Sequence, residues 1–161
     1  MANGSSKLVS QVKKGDQIVT LDGPGEVQCL LRFKNENSEA KLCQIGGLKL
    51  TYKHPIKVEG KWIYPKDVCE PQMRTCSAVY NLVIDQNHIA MINDIPCILV
   101  GHNYTTGILK DEYLGSNKVI ADLKQMPGWT EGEITFNPGC FKKVGKNKRS
   151  KLAYNGQANK I

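Results

Sequence analysis

Three histidines are present in the chain, His54, His88 and His102, and two of them stand beside residues with which an imidazole can do chemistry. In "VGHNY" (100–104), His102 directly precedes Asn103. An asparagine side-chain amide can attack its own backbone carbonyl, forming a succinimide and breaking the peptide bond that follows. That reaction is slow, because the amide is a poor nucleophile and the leaving amine needs a proton. A neighbouring histidine that donates to the carbonyl or to the leaving nitrogen supplies what is missing. In "LTYKHPI" (50–56), Thr51 stands three residues before His54, and Pro55 biases His54 towards extended backbone. A Thr and a His held at a strand end can jointly polarise one peptide carbonyl. Each pair is a weak signal alone, since a lone Thr-x-x-His or His-Asn is most often a satisfied core or surface histidine.

The elements that must position these residues read as β almost throughout. "GDQIVTLDGPGEVQCLLRF" shows two strand-like runs around Asp22-Gly23-Pro24-Gly25. In the second run Val27, Cys29, Leu31 and Phe33 alternate with Glu26, Gln28 and Arg32, the period-2 pattern of a half-buried strand. "KLCQIGGLKLTY" predicts two short strands around Gly46-Gly47. "HPIKVEGKWIYP" predicts a hairpin turning at Glu59-Gly60-Lys61, with Ile56 and Val58 facing Trp62 and Tyr64. "AVYNLVI", "HIAMIN" and "IPCILV" follow as further strands, so His88 opens one strand and His102 closes the last. One helix is predicted over about 116–126: Ser116 can cap it, Val119, Ile120, Leu123 and Met126 form its apolar stripe, and Pro127-Gly128 stops it.

Charge is unevenly placed. The net charge is +7, but residues 142–161 hold seven Lys or Arg and no acid, leaving 15 charges of each sign in residues 1–141. The fold is therefore neutral, which with few aromatic residues argues against a nucleic-acid function for the body itself. The basic segment carries Lys142, Lys143, Lys146, Lys148, Arg149 and Lys151 as candidate contacts. Such a segment is most often a solvated, flexible end, and otherwise docks on RNA or an acidic partner.

Six cysteines raise the question of disulfides. Cys29, Cys43, Cys97 and Cys140 sit among apolar neighbours and read as small buried hydrophobes, and the Cys69–Cys76 spacing matches no common zinc motif. A Cys69–Cys76 loop closure is open but not expected. No metal or cofactor is expected. A reduced, cytoplasmic setting follows from this cysteine usage, from the lack of an apolar signal-peptide core in "MANGSSKLVS", and from the lack of an apolar stretch near the ~20 residues of a membrane span.

The order of the motifs carries more than any one of them. "LTYKHPI…VYNLVIDQNHIAMIN…VGHN" resembles the Hint (hedgehog/intein) family, whose blocks include T-x-x-H-P, a later block with a histidine, and a terminal His-Asn. All three histidines fall in those blocks. "MANGSSKLVSQVKKGDQIVTLDG" is similar to the family's early stretch, and "YLGSNKVIADLKQMPGW" resembles the extension of the Vint subclass, found in eukaryotic proteins alongside von Willebrand A-type domains. The resemblance implies an all-β, horseshoe-like fold of many short strands with a helix-bearing C-terminal extension. It gives a β domain over 1–103 and an extension over 104–141, and the charge distribution sets off the basic tail over 142–161.

The resemblance also implies roles. Thr51 and His54 match the block that activates the N-terminal scissile bond, His88 the histidine that assists the second half-reaction, and His102 with Asn103 the C-terminal cleavage pair. Asn81 stands where many relatives have Asp, which removes an acid/base group. The substrate so implied is the chain's own backbone. Two departures bear on activity. The family's first nucleophile, a Cys or Ser, is expected about a dozen residues before Met1, and Ser5 and Ser6 fall in a turn and do not replace it; without it no acyl shift occurs. Splicing also needs Cys, Ser or Thr directly after Asn103, where this chain has Tyr104. Two functions remain open: a self-processing domain inactive as written, or a catalytically silent interaction module that uses the basic tail.

Overall fold

The computed structural model of the chain describes residues 1–144 and 149–152. Its elements in chain order are β1 (Gln17–Thr20), β2 (Gly23–Lys34), β3 (Glu39–Ile45), β4 (Leu48–Thr51), β5 (Ile56–Val58), β6 (Lys61–Ile63), β7 (Gln72–Thr75), β8 (Ala78–Ile84), β9 (Ile89–Ile92), β10 (Ile95–Ile98), α1 (Asn117–Leu123), β11 (Glu133–Phe136), β12 (Phe141–Val144) and β13 (Arg149–Leu152). An eight-stranded sheet runs β11-β2-β1-β9-β10-β5-β6, with β8 also paired to β2; β4-β3-β7 and β12-β13 form two smaller sheets. The all-β architecture with one short helix is the one the motif order implies.

β2 organises the body. Its first residues pair with β1 and the remainder with β8, and a register shift lies between Val27 and Cys29. That bulge explains a departure from simple alternation. Val27 and Leu30 enter one core cluster with Ile18, Leu82, Ala90 and Leu99, whereas Cys29 and Leu31 enter another with Val83, Val100, Val119 and Phe136. An inserted residue rotates the remainder of the strand to the opposite face, so one strand feeds two cores.

The β5–β6 hairpin is shifted from the sequence expectation. Glu59 and Gly60 both have positive φ, 49° and 78°, and form a two-residue turn. Ile56 therefore faces Ile63, Lys57 faces Trp62, and Val58 faces Lys61. Trp62 falls on the opposite face, packed against Ile89, Ile98 and Leu109.

The extension is built into the body. β11 pairs in parallel with β2, Glu133 opposite Leu30 through Phe136 opposite Phe33, and Ile134, Phe136, Val119 and Leu123 are fully buried in the same cluster as Leu31. Ser116 caps α1, its hydroxyl accepting the Lys118 N–H at 3.3 Å. The helix ends at Leu123, short of the expected 126, where the N–H of Met126 turns back to the Leu123 carbonyl and tightens the chain before Pro127. Beyond it, β12 and β13 pair antiparallel, Phe141 opposite Leu152, and Leu152 is buried in the main core. Part of the segment read as a tail is thus backbone-paired: Lys142 and Lys143 lie on β12 and Arg149 and Lys151 on β13. Lys146, Lys148 and residues 153–161 lie outside the described residues. No helix among the described residues is long and apolar enough to cross a membrane.

Candidate functional site at the end of β10

β10 is flanked by β9 on one side and β5 on the other, with Cys97 opposite both Ala90 and Ile56. That double register brings two histidines to one stretch of backbone. On the β5 side, the Ile98 N–H donates to the Pro55 carbonyl at 3.3 Å, and His54 Nε2 lies 2.8 Å from the Ile98 carbonyl. On the β9 side, the Leu99 N–H donates to the His88 carbonyl at 2.8 Å. The His88 ring lies close to Gly101, where a Cβ would stand 3.7 Å from its Cε1.

Because a carbonyl can only accept, Nε2 of His54 is the nitrogen that carries hydrogen, and in the neutral ring Nδ1 keeps its lone pair. Burial favours that neutral form, holding His54 below the ordinary imidazole value against the opposing pull of the Ile98 carbonyl. Burial lowers His88 as well, opposed by the Val100 backbone and by Asp85. Its Nδ1 is buried without a partner among the described residues. Thr51 closes the same tight turn from the other sheet: its carbonyl accepts the His54 N–H at 3.0 Å.

The strand then leads into a tightly wound segment. Gly101 and Asn103 both have positive φ, 75° and 58°, a conformation Gly adopts freely and Asn tolerates better than most residues. The Gly101 N–H donates to the Leu114 carbonyl at 2.8 Å and the Asn103 N–H to the Gly115 carbonyl at 2.6 Å. His102 fills the space that Gly115 leaves open; a Cβ on Gly115 would come within 2.8 Å of His102 Cε1 and 2.7 Å of the Asp111 carbonyl.

At the Asn103–Tyr104 bond the amide nitrogen has a histidine on it: the Tyr104 N–H donates to His102 Nδ1 at 3.0 Å. His102 is thus held as a neutral acceptor, and burial together with the charge of nearby His88 lowers it, opposed by Asp111. Asn103 Nδ2, the atom that would attack, donates to Asn117 Oδ1 at 3.0 Å. Asn81, by contrast, accepts the Leu82 N–H of its own strand at 2.8 Å.

At the other end of the chain, Met1 packs against the cluster that contains Leu99 and Ala90, and the Ala2 N–H donates to the Gln17 carbonyl at 2.9 Å. The N-terminal residue is therefore held against β1 and the core cluster it shares with Ile18 and Val27. Residues 1–153 match a family model described as Vint, a Hint-domain.

The chain belongs to the Hint-domain family, in its Vint subclass. The match runs through α1, β11 and the β12–β13 pair, so the extension is part of the Vint domain as the family defines it. No curated protein matches the chain. Within this Vint domain His54, His88, His102 and Asn103 gather along one run of backbone, with Thr51 joined through its carbonyl. Gly115 and Asn117 were not among the residues singled out from sequence. They stand in the sequence within "YLGSNKVIADLKQMPGW", on either side of the capping Ser116. Among the described residues, no group of three or more His, Cys, Asp and Glu side chains is placed to hold a metal ion.

Proposed function

We propose that this Vint domain is a self-processing scaffold whose substrate is its own backbone, and that residues 1–161 hold the Asn103–Tyr104 bond in an uncleaved state. The observation that carries the reading is the Tyr104 N–H···Nδ1 bond of His102. It presents a titratable group to the leaving nitrogen of the junction. In the neutral ring that contact has the wrong polarity for cleavage, because the imidazole lone pair accepts from an amide whose departure needs a proton given to it. Asn117 adds a second hold by engaging the attacking amide.

Releasing both holds tests the reading. Asn117→Ala, kept for a day at a series of pH values from about 7 down to about 4 so that the lowered His102 gains a proton within the series, is expected to split after Asn103 on the acid side, while Asn117→Ala/His102→Ala and the parent chain at neutral pH stay whole by intact mass. Failure of Asn117→Ala to split, or splitting that persists without His102, removes the processing reading.

A second reading has its own observation. The β12–β13 register sets Lys142 opposite Lys151, with Lys143 and Arg149 nearby on the same ribbon. That pairing gathers basic residues on one two-stranded ribbon, to which an acidic protein surface or RNA is the complementary partner. In that reading Lys142, Lys143, Lys146, Lys148, Arg149 and Lys151 are the contacts and the histidines are inherited structural residues. The free state of all six cysteines is in keeping with a reducing, cytoplasmic setting for either reading.

A further inference from the structure

Away from the histidines, two thiols each reach the other's stretch of backbone beside the small sheet. Cys43 lies on β3, fully buried, and Cys69 follows Pro65–Asp67, partly exposed. Their contacts are reciprocal: Cys43 Sγ donates to the Cys69 carbonyl at 3.4 Å, and Cys69 Sγ reaches the carbonyl of Gln44, the neighbour of Cys43, at 3.5 Å. Both side chains pack in one cluster with Leu50, Tyr52 and Ile56. Cys76 lies beyond the far end of β7 from Cys69 and donates to the Ala78 carbonyl at 3.1 Å, so the pairing the sequence left open is not the one the fold prepares.

We propose that Cys43 and Cys69 are a redox-reactive pair, which a low-molecular-weight disulfide of the glutathione type converts to an intramolecular disulfide. The thiolate of Cys69, the more accessible sulfur, attacks one sulfur of the oxidant; the oxidant S–S bond breaks and one thiolate leaves. Cys43 then attacks Cys69 Sγ in the mixed disulfide and displaces the second thiolate. Two protein thiols are oxidised to one disulfide, one small disulfide is reduced to two thiols, and the two protein protons pass to the departing thiolates.

The order of attack follows from environment. Burial, and the hydrogen bond to Cys69, push the Cys43 thiol up to about 11, so Cys43 is the resolving sulfur and its step quickens as pH rises. Each thiol already lies against the other's stretch of backbone, Cys43 Sγ on the Cys69 carbonyl and Cys69 Sγ on the Gln44 carbonyl, and side-chain rotation is the movement that brings the sulfurs towards the ~2.05 Å of an S–S bond.

The ring so closed contains Thr51 and His54. Cys43 pairs with Leu50, next to Thr51; the Lys66 N–H donates to the Tyr52 carbonyl at 3.1 Å, and the Cys69 N–H to the Pro65 carbonyl at 2.9 Å. A Cys43–Cys69 bond therefore clamps both sides of the turn that carries His54. The pair stands on its own contacts and does not depend on the processing reading.

The test is oxidation of the whole folded chain with excess oxidised glutathione at about pH 8, trapping of remaining thiols, and peptide mapping. The expected product is a single linked pair of peptides containing Cys43 and Cys69, reversed by dithiothreitol, retained in Cys76→Ser and absent in Cys69→Ser. Glutathione left as a stable mixed disulfide on Cys69, a link from Cys69 to Cys76 or from Cys43 to Cys97, or no oxidation of Cys43 would overturn the proposal. Mapping of the unmutated chain decides this even if a variant folds poorly.

Discussion

His54 Nε2 and the Ile98 carbonyl, 2.8 Å apart and 44 residues apart in sequence, join the β4–β5 turn to the strand that leads into the Gly-His-Asn segment. This one hydrogen bond fixes the tautomer of the ring, aligns the turn and satisfies a carbonyl at the end of β10. The histidine thus anchors the turn to the strand.

Removing it has a measurable consequence. His54→Ala leaves the Ile98 carbonyl without its imidazole partner and opens space beside it, which is expected to destabilise the fold by about 1–3 kcal/mol. Urea unfolding at neutral pH reads this directly. An unchanged midpoint would mean that the bond is replaced by water without loss.

Acid should weaken the fold in a defined window. Burial lowers His54, His88 and His102 from 6.5 in the folded state, so as pH falls through 6.5 the unfolded chain takes up protons before the folded one does. Stability is then full above about pH 6.5 and is lost progressively as pH falls towards the folded values. Asp16, lowered by its bonds to Lys7 and to the Lys13 N–H, acts in the same sense but only as pH falls below 3.8. Melting temperatures at several pH values between about 5 and 8 are expected to fall on the acid side, with a shallower fall in His54→Gln.

Gly115 should tolerate no side chain. A methyl group there would meet His102 Cε1 at 2.8 Å and the Asp111 carbonyl at 2.7 Å. Gly115→Ala is expected to displace His102 and to cost roughly 1–3 kcal/mol. The amide signal of Tyr104 in a proton–nitrogen spectrum should move with it, because that amide loses its acceptor.

The basic ribbon gives a prediction that separates the two functional readings. Lys148→Glu/Arg149→Glu/Lys151→Glu should leave junction cleavage in the Asn117→Ala background unchanged. If the interaction reading holds, the same changes abolish a binding to RNA or to an acidic protein that weakens as salt rises.

The sequence made some of this legible and hid the rest for physical reasons. Alternation exposed most strands, and the order of Thr51, His54, His88, His102 and Asn103 exposed the histidine-bearing backbone, because block order survives in one dimension. The parallel pairing of β11 with β2 was not readable: Glu133–Phe136 and Gly23–Lys34 are far apart in the chain, and a four-residue strand carries no mark of its partner. The bulge at Val27/Cys29 and the two-residue turn at Glu59-Gly60 each shifted a face by one residue, which alternation alone cannot foresee. Asn117 was hidden because a polar residue in the first turn of α1 looks like capping chemistry, and only the folded extension brings it to Asn103.

A nitrogen-detected spectrum of the histidine side chains of the whole chain, followed by an acid titration, reaches the centre of the matter. It asks whether a neutral His102 sits on the leaving nitrogen of the Asn103–Tyr104 bond. The expected result is a neutral His102 at about pH 7 with its proton on Nε2, a Tyr104 amide that reports a hydrogen bond to Nδ1, and loss of that bond as the ring takes up a second proton. A His102 that carries its proton on Nδ1, or is already charged at neutral pH, would contradict that placement.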